Sequence, residues 1–288
     1  MKTFADTGFH AGELAVQRKA GVQRDAARLS RMLESVDLSG GIVKFLAERT
    51  FLVITGRDET GRLWTSPLVG PRGFLDAEST TRLAVHAAPP AGDPLHGIAA
   101  GQQIGMTSVE FATRRRVRLN GTLVEATDGL LVVDVEQAFG NCPQYIPQRL
   151  LSPQRSEPGG DVRRGSALEE QDVKLIESAD SFFLGTVRPG RGADASHRGG
   201  PAGFVRIDGQ GVWWPDYQGN NLFNSLGNIE VNPETALLFF EFTTGRTLQL
   251  SGTANIEWGD DSDRSIRFSL ERLVAGHLLG AQRERSYR

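Results

Sequence analysis

Most of the chain alternates short apolar runs with Gly, Pro and Asp, a pattern that is typical of β-strands separated by turns. In the first half it predicts strands at residues 51–55, 83–86, 107–111, 117–119 and 130–134. In the second half it predicts strands at residues 182–186, 203–207, 212–214, 236–242, 247–250 and 255–258. Many short strands with few helices favour a barrel, because closure removes the exposed edges of an antiparallel sheet.

Helical periodicity is confined to a few segments. Residues 11 to about 36 carry apolar side chains at helical spacing, and Gly21 is predicted to interrupt this helix. We expect one helical insertion in each half, which in the second half spans residues 220–230 and ends at Asn232-Pro233. Residues 266–279 fit either a strand or a helix.

The two halves share a repeated sequence. Residues 66–75 align without a gap on residues 196–205, and residues 110–121 align on residues 241–252. Because order and offset are both preserved, the repeat predicts a duplicated fold. We therefore expect four regions: an N-terminal helical extension (1–40), a first β-barrel that is the degenerate copy (41–151), a linker rich in Ser, Pro, Gly and Arg (152–166), and a second β-barrel (167–288).

Composition limits the partners and the compartment. The 288 residues suit two domains of about 100 to 150 residues each. A net charge of −3 provides no global field that would recruit nucleic acid or an anionic membrane. The single cysteine, Cys142, excludes an internal disulfide and fits a reducing compartment. Without a long apolar stretch or a signal-peptide core, we expect a cytoplasmic protein.

Polar residues in the second half suit an anionic ligand. The stretch 196–198 supplies a hydroxyl, an imidazole and a guanidinium, and Asn220, Asn221 and Ser225 add uncharged donors near a predicted helix start. No lysine follows Lys174, so the charged contact to a phosphate would have to come from arginine. The corresponding positions of the first half hold Pro67-Leu68 and Asp93-Pro94, which suit a phosphate less well. The first barrel is therefore expected to be structural, or to form one wall of the site.

Several of these residues have simpler interpretations. His197 either contacts a cofactor or caps a turn or pairs with Asp194. For His10 and Glu13, hydrogen bonding at a helix start is favoured over metal ligation, because no third ligand is evident nearby. Residues 114–118 form a basic run that favours a solvent-exposed turn over an anion site. Cys142 is expected to be a small buried side chain.

The second half resembles the pyridoxamine 5′-phosphate oxidase-like family of FMN-binding split β-barrels. The resemblance rests on residues 180–186, 195–201, 214–221, 232–233 and 245–252, in this order and at this spacing. Residues 9–13 with Gln17, and residues 139–146, are similar to a branch of the family that has two barrels.

The resemblance implies a mainly β fold of tandem split barrels, with FMN bound at the interface between barrels. Glycines 199 and 200 would allow close approach of the flavin ring, and Trp213, Trp214 and Tyr217 would wall it. The cofactor-binding residues implied are Ser196, His197, Arg198, Gly199, Gly200, Trp214, Asp216, Tyr217, Asn220, Asn221, Ser225, Arg246 and Thr247. A homodimer is also expected, and no metal site is.

The chain departs from the pattern of the vitamin B6 enzymes. Asn220-Asn221 replaces an Arg-Lys pair, so Arg198 or Arg246 would have to compensate for the missing charge. The C-terminal segment of the true oxidase is not recognisable in residues 283–288, and we do not predict pyridoxine phosphate oxidation. The expected activity is that of an FMN-dependent oxidoreductase, which transfers hydride or electrons between a donor such as NAD(P)H and a small molecule.

The alternative from a different class is a binding or carrier protein of the same fold. It would hold flavin, deazaflavin or haem without catalysing a reaction, and His197 or His277 would be the axial ligand of a haem. The sequence supports this alternative because it contains no evident pair of a general acid and a general base. No particular residue is predicted to be catalytic.

Overall fold

The structure of the chain is a computed structural model. It describes residues 8–29, 37–140, 144–153, 161–190, 192–209, 211–260, 263–279 and 282–285. The prediction for Cys142 lies outside these residues. No helix in the described ranges is long and apolar enough to cross a membrane.

In the described residues before the first strand there are three short helices. They are α1 (Ala11–Lys19), α2 (Gln23–Ala27) and α3 (Gly40–Ala47). The break between α1 and α2 falls at Gly21, as predicted, because its φ of 70° is one that L-residues rarely adopt. At the start of α1, the Nδ1 atom of His10 accepts the Gly12 N–H at 3.1 Å, and Glu13 accepts the His10 N–H at 2.8 Å. This reciprocal cap is the helix-start hydrogen bonding that the sequence favoured.

Each half then forms an antiparallel sheet of the same topology. The first contains β1 (Phe51–Arg57), β2 (Leu63–Val69), β3 (Leu75–Ala77), β4 (Arg82–Val85), β5 (Gln103–Glu110), β6 (Arg115–Ala126) and β7 (Leu131–Gly140), in the order β2-β1-β5-β6-β7-β4-β3. After β8 (Leu150–Pro153), the second half contains β9 (Arg163–Gly165), α4 (Glu170–Ser178), β10 (Ser181–Arg188), β11 (Gly192–Gly199), β12 (Arg206–Asp208), β13 (Gly211–Pro215), α5 (Asn224–Val231), β14 (Glu234–Glu241), β15 (Arg246–Trp258), β16 (Arg264–Gly276) and β17 (Gln282–Arg285). Its main sheet runs β11-β10-β14-β15-β16-β13-β12, which repeats the first order. The fold is therefore mainly β, with tandem split barrels.

Strand pairing places the two aligned blocks at equivalent positions. Ser66 lies opposite Ile54 in the first sheet, and Ser196 lies opposite Leu184 in the second. The second block likewise begins each time with a glutamate opposite an arginine, at the β5–β6 turn and at the β14–β15 turn. The sequence repeat therefore corresponds to a repeated structure.

Some elements differ from the sequence expectations. Residues 247–258 lie in one strand, because a bulge near Gly252 absorbs the interruption that suggested two strands. Residues 266–276, which fitted either a strand or a helix, lie in strand β16, and residues 277–279 follow it without a helix. Helix α5 begins at Asn224, after the predicted start. The predicted helical insertion of the first half is wrong, since residues 86–102 form turns without a helix. Part of the predicted linker is strand, because β8 pairs with β17 and β9 pairs with β16.

The two barrels pack directly against each other. A Cβ atom at Gly185 of the second barrel would lie 2.1 Å from the Thr65 hydroxyl oxygen of the first, and one at Gly105 of the first would lie 2.5 Å from the Asp194 Cα atom of the second. These glycines therefore let β2 and β11 approach the opposite sheet. Buried aromatic rings continue the contact, with Phe51 and Phe183 centroids 5.8 Å apart.

Candidate functional site

A pocket opens between the barrels, where β11 and the start of α5 face β6 of the first barrel. Its cavity volume is about 110 Å³, and it is partly open to solvent. The lining residues from the first barrel are Arg116, Arg118, Gln144 and Tyr145. Those from the second barrel are His197, Arg198, Gly199, Phe204, Trp214, Pro215, Asp216, Tyr217, Gly219, Asn220, Asn221, Phe223, Asn224, Ser225 and Leu226.

Most of the residues predicted to bind the cofactor meet in this pocket. The structure brings together His197, Arg198, Gly199, Trp214, Asp216, Tyr217, Asn220, Asn221 and Ser225. Ser196 lies directly behind the lining, with its hydroxyl oxygen 3.0 Å from that of Ser225. Gly200 lies beside the pocket, and a Cβ atom there would be 2.8 Å from the Tyr217 ring. Trp213, which was expected to wall a flavin ring, instead packs against the guanidinium of Arg206.

A buried polar cluster supports the pocket from below. Ser225 donates its hydroxyl to Asp194 at 2.7 Å, and Arg118 donates to Ser225 at 3.2 Å. Arg118 also forms an ion pair with Asp194 at 3.5 Å, in which both side chains are less than one-tenth exposed. Burial lowers the pKa of Arg118, and Asp194 opposes that shift. The alternative pairing of Asp194 with His197 is not found, because this carboxylate serves the cluster.

His197 enters the pocket as a neutral imidazole. Its ring packs edge-on against Phe183 and Phe111, with centroids 5.4 and 6.1 Å away, and neither ring nitrogen has a hydrogen-bond partner among the described residues. Burial lowers the pKa of His197 well below its ordinary value, and the nearby cations Arg116, Arg198, Arg149 and Arg118 lower it further. An uncharged ring with free nitrogens is available to a ligand.

Arg198 is held at the rim by Asp216. Its Nη1 atom lies 3.0 Å from the carboxylate, and Arg264 donates to the second oxygen of the same group at 3.0 Å. Asp216 is therefore shared between two guanidinium groups. Its role in the structure is to orient Arg198, while the Nε atom of Arg198 has no hydrogen-bond partner among the described residues.

The glycines and tyrosines at the mouth pack on protein atoms. A Cβ atom at Gly199 would lie 1.9 Å from the carbonyl oxygen of Tyr145, and one at Gly200 would lie 2.7 Å from the Phe204 ring. The close approach at both glycines is therefore made by this chain itself, which differs from the expected approach of a flavin. The Tyr145 and Tyr217 rings stack at 5.2 Å with an interplanar angle of 22°, one from each barrel.

The turn before α5 has a left-handed backbone at two non-glycine residues. Asn221 and Phe223 both have φ near 60°. Asn tolerates this region, whereas Phe adopts it rarely, so the conformation costs about 1 to 3 kcal/mol at such a residue. The Phe223 ring lies under the Arg264 guanidinium at 4.9 Å, a contact that offsets part of this cost. The strain concentrates where the chain turns into the pocket.

Arg246 and Thr247 do not reach the pocket. Arg246 donates to the buried carboxylate of Asp172 on α4 at 3.0 Å, and the Thr247 hydroxyl donates to the Gly276 carbonyl at 3.2 Å. Their counterparts in the repeat are Arg115 and Arg116. Because the barrels face each other, β6 of the first barrel contributes side chains to the pocket of the second barrel. Likewise, β15 of the second barrel faces the first barrel.

The cations that sequence reasoning missed are Arg116 and Arg118. The basic run was expected in an exposed turn, but Arg118 is 6% exposed and lies in the middle of β6. Arg116 donates from Nη1 to the carbonyl oxygen of His197 at 3.1 Å, across the interface. The signal that would have found them was the repeat itself, because a paired arrangement brings β6 to the opposite barrel. The first barrel thus forms one wall of the pocket.

Comparison with known proteins assigns the second barrel. The family model described as pyridoxamine 5′-phosphate oxidase matches residues 168–286. The second barrel is therefore similar to the pyridoxamine 5′-phosphate oxidase family. No curated protein matches the chain.

Several solved structures resemble part of the chain at low identity. A pyridoxamine 5′-phosphate oxidase-like protein of Lactobacillus delbrueckii is 13% identical, with a TM-score of 0.33, and the match covers 38% of this chain and 94% of that one. The haem storage protein HutZ of Vibrio cholerae is 15% identical, with a TM-score of 0.31, covering 40% of this chain and 97% of that one. An FAD-binding protein of Mesorhizobium loti is 11% identical, with a TM-score of 0.30, covering 43% and 99%.

The second barrel thus supplies most of the pocket, while the first barrel supplies two of its three lining arginines. Among all the lining side chains, Arg116, Arg118 and Arg198 carry positive charge, and Asp216 alone carries negative charge. The described lining therefore has an excess of positive charge. Such a site suits a ligand with a multiply charged anionic end.

Proposed function

We propose that this pocket binds FMN and that the protein is an FMN-dependent oxidoreductase. The observation that carries the proposal is the excess of arginine over carboxylate in the lining, inside a barrel similar to the pyridoxamine 5′-phosphate oxidase family. A phosphate monoester carries about −1.5 to −2 charge near pH 7, which matches this excess.

The arginine side of the pocket fits the phosphate. The Nε atoms of Arg118 and Arg198 are buried donors without hydrogen-bond partners among the described residues. Ser225 lies near the start of α5, where backbone N–H groups and the helix dipole favour an anion. These arginines would replace the charge that Asn220-Asn221 lacks relative to the vitamin B6 enzymes.

The aromatic side of the pocket fits a flat ring. The Trp214 Nε1–H and both nitrogens of His197 are buried and have no partners among the described residues, so they are available to ring heteroatoms. The cavity of about 110 Å³ has room only for part of the cofactor, and the rest would lie in the open mouth beside Tyr145 and Tyr217. FMN, when bound, would supply the hydride and one-electron chemistry.

A second candidate is haem binding, which rests on His197. A neutral imidazole with free nitrogens in a pocket can serve as an axial ligand. His277, the other histidine considered, is exposed and is not part of the lining. A deazaflavin would use the same cationic side of the pocket as FMN.

An absorption spectrum separates these candidates. We expect the purified protein to be yellow and to release FMN on denaturation, or to bind added FMN. A Soret band would show that the ligand is haem and not FMN. A colourless protein that does not bind FMN would overturn the proposal. Anaerobic reduction of the bound flavin by NADH or NADPH would then support an oxidoreductase over a carrier. NAD(P)H as the donor, a cytoplasmic location and a homodimer stay predictions.

Two matched arginines test the assignment of the pocket. Arg198 and Arg246 each share a buried aspartate with a second arginine, but only Arg198 lines the pocket. Arg198→Ala should weaken FMN binding by about 1.5 to 3 kcal/mol, roughly 10- to 150-fold in Kd. Arg246→Ala should leave the affinity unchanged. Equal losses in a fluorescence titration of the two variants would remove Arg198 from the site.

A further inference from the structure

Helix α1 lies directly on α5, whose first turn lines the pocket. The two helices touch through glycines, because a Cβ atom at Gly12 would lie 2.0 Å from the Gly227 carbonyl oxygen. A Cβ atom at Gly227 would lie 2.6 Å from the Cγ atom of Glu13. Any side chain at either glycine would therefore force the helices apart. The glycine contact brings the backbone of α1 close enough for its side chains to reach the start of α5.

Glu13 connects the two helix starts. One carboxylate oxygen accepts the backbone N–H of His10 at 2.8 Å, and the other accepts the side-chain amide of Asn224 at 2.6 Å. Glu13 is 4% exposed, so both hydrogen bonds are shielded from water. Asn224 is the first residue of α5 and lines the pocket. The same buried carboxylate therefore caps α1 and holds the entry to the pocket.

Two further hydrogen bonds fix the ends of the contact. The Nε2 atom of His10 lies 3.1 Å from Asn228, whose amide donates to Thr186 of β10 at 3.0 Å. Gln17 donates to the Leu222 carbonyl at 3.3 Å, just before α5. Helix α1 therefore holds α5 along its length and also holds the turn that precedes it.

We propose that Glu13 is a positioning residue for the pocket, acting through Asn224. None of the α1 residues lines the pocket, so an effect of Glu13 on ligand affinity would have to pass through α5. A hydrogen bond to a buried carboxylate is among the stronger ones available to an amide. Its loss frees the Asn224 side chain and the first turn of α5, which carries Ser225 into the polar cluster below the pocket. The inference rests on the proposed function in so far as FMN is the ligand measured.

A double-mutant cycle tests this route. FMN affinity is measured for wild type, Glu13→Ala, Asn224→Ala and the double variant. We expect Glu13→Ala to weaken binding about tenfold, which corresponds to the loss of its charged hydrogen bond to Asn224. The same change should have no further effect when Asn224 is already Ala. A Glu13→Ala variant that binds as wild type does, or that loses the same affinity in both backgrounds, would overturn the inference.

Two glycine variants give a matched control in the same segment. Gly12→Ala places a methyl group against Gly227 and should weaken FMN binding, whereas Gly8→Ala meets no atom within 4 Å and should not. Equal behaviour of the two variants would contradict the role of the α1–α5 contact. If Glu13→Ala fails to fold, Glu13→Asp keeps the charge, shortens the reach, and carries the same expectation.

Amide hydrogen exchange separates this inference from the proposed function. If wild type binds no FMN, the proposed function fails, but Glu13→Ala should still speed exchange at residues 224–228. Unchanged exchange there would overturn the positioning role whatever ligand the pocket takes. If wild type binds FMN and neither exchange nor affinity changes in the variant, only the positioning role fails.

Discussion

Equivalent positions in the two barrels each hold a buried aspartate, but its partner is a cation in one barrel and a neutral side chain in the other. In the second barrel, Ser196 and Ser225 lie beside the ion pair of Asp194 with Arg118, under an open pocket. In the first barrel, Ser66 donates to the buried carboxylate of Asp93 at 2.6 Å. Gln249 of the second barrel donates to both of those residues, at 2.8 Å to Ser66 and at 3.0 Å to Asp93. Arg118 and Gln249 occupy the same place in the repeat, so each barrel inserts one β6 or β15 side chain into its partner.

The difference teaches how one copy of a duplicated site is closed. Asp93 accepts hydrogen bonds from Ser66, from the Leu95 N–H and from Gln249, and it is 2% exposed. Donors of this kind could hold a bound anion, but here they all donate to the side-chain carboxylate of Asp93. In the second barrel the facing residue is a cation and the pocket is open. We therefore predict one anion site per barrel pair, although the fold contains two equivalent positions.

The largest effect is expected when the open site is converted to resemble its counterpart. Arg118→Gln leaves Asp194 buried without its cation, which costs about 3 to 5 kcal/mol of unfolding free energy. FMN binding should be lost as well. Chemical denaturation and an FMN titration measure the two effects.

A compensated variant separates these two consequences. Arg118→Gln combined with Asp194→Asn removes the unpaired charge, so most of the stability should return while FMN binding should not. Recovery of binding in the double variant would show that the cation at position 118 does not hold the ligand.

A smaller effect is expected in the closed site, and it depends on pH. Burial raises the pKa of Asp93 to about 6, against about 3.9 in an unfolded chain. The Asp93 carboxyl group therefore holds its proton more tightly in the folded state than in the unfolded state. Its contribution to the free energy of unfolding is full below pH 4 and is lost as the pH rises through 6. The difference amounts to about 3 kcal/mol at most. Asp93→Asn should remove this decrease in the free energy of unfolding with rising pH.

His197 in the open site titrates in the opposite sense. Its pKa lies well below the ordinary value, so its contribution to stability is present above about pH 6.5 and is lost as the pH falls through its folded-state pKa. The check is therefore the difference in unfolding free energy between wild type and Asp93→Asn at each pH, because His197 is common to both. A difference that does not change between pH 4 and pH 7 would contradict the assignment to Asp93.

The sequence predicted the duplicated β fold because the repeat and the strand pattern are local signals. It missed β2 and β11 as strands, since Ser66-Pro67 and Ser196-His197 place polar or proline residues where both faces are buried. These residues are buried against the other barrel, and a pattern of apolar residues along the chain does not show that contact. The helix α4 was also missed, although Asp172 accepts the Glu169 N–H in a local cap at its start.

The site was predictable from the second barrel but not from the first. Residues 196–198 and 220–225 carry motifs that can be recognised along the chain. Arg116 and Arg118 look like a surface run until β6 is placed against β11, a contact between residues far apart in sequence. Arg246 and Thr247 were assigned to the pocket for the same reason: local similarity identifies a strand but does not show which barrel it faces.

The asymmetry between the two barrels is tested most directly by the number of FMN molecules bound per chain. Equilibrium titration of the full-length protein, combined with FMN released on denaturation per polypeptide, should give one. Two FMN molecules per chain would contradict the account, because Asp93 and Gln249 would then not close the site of the first barrel.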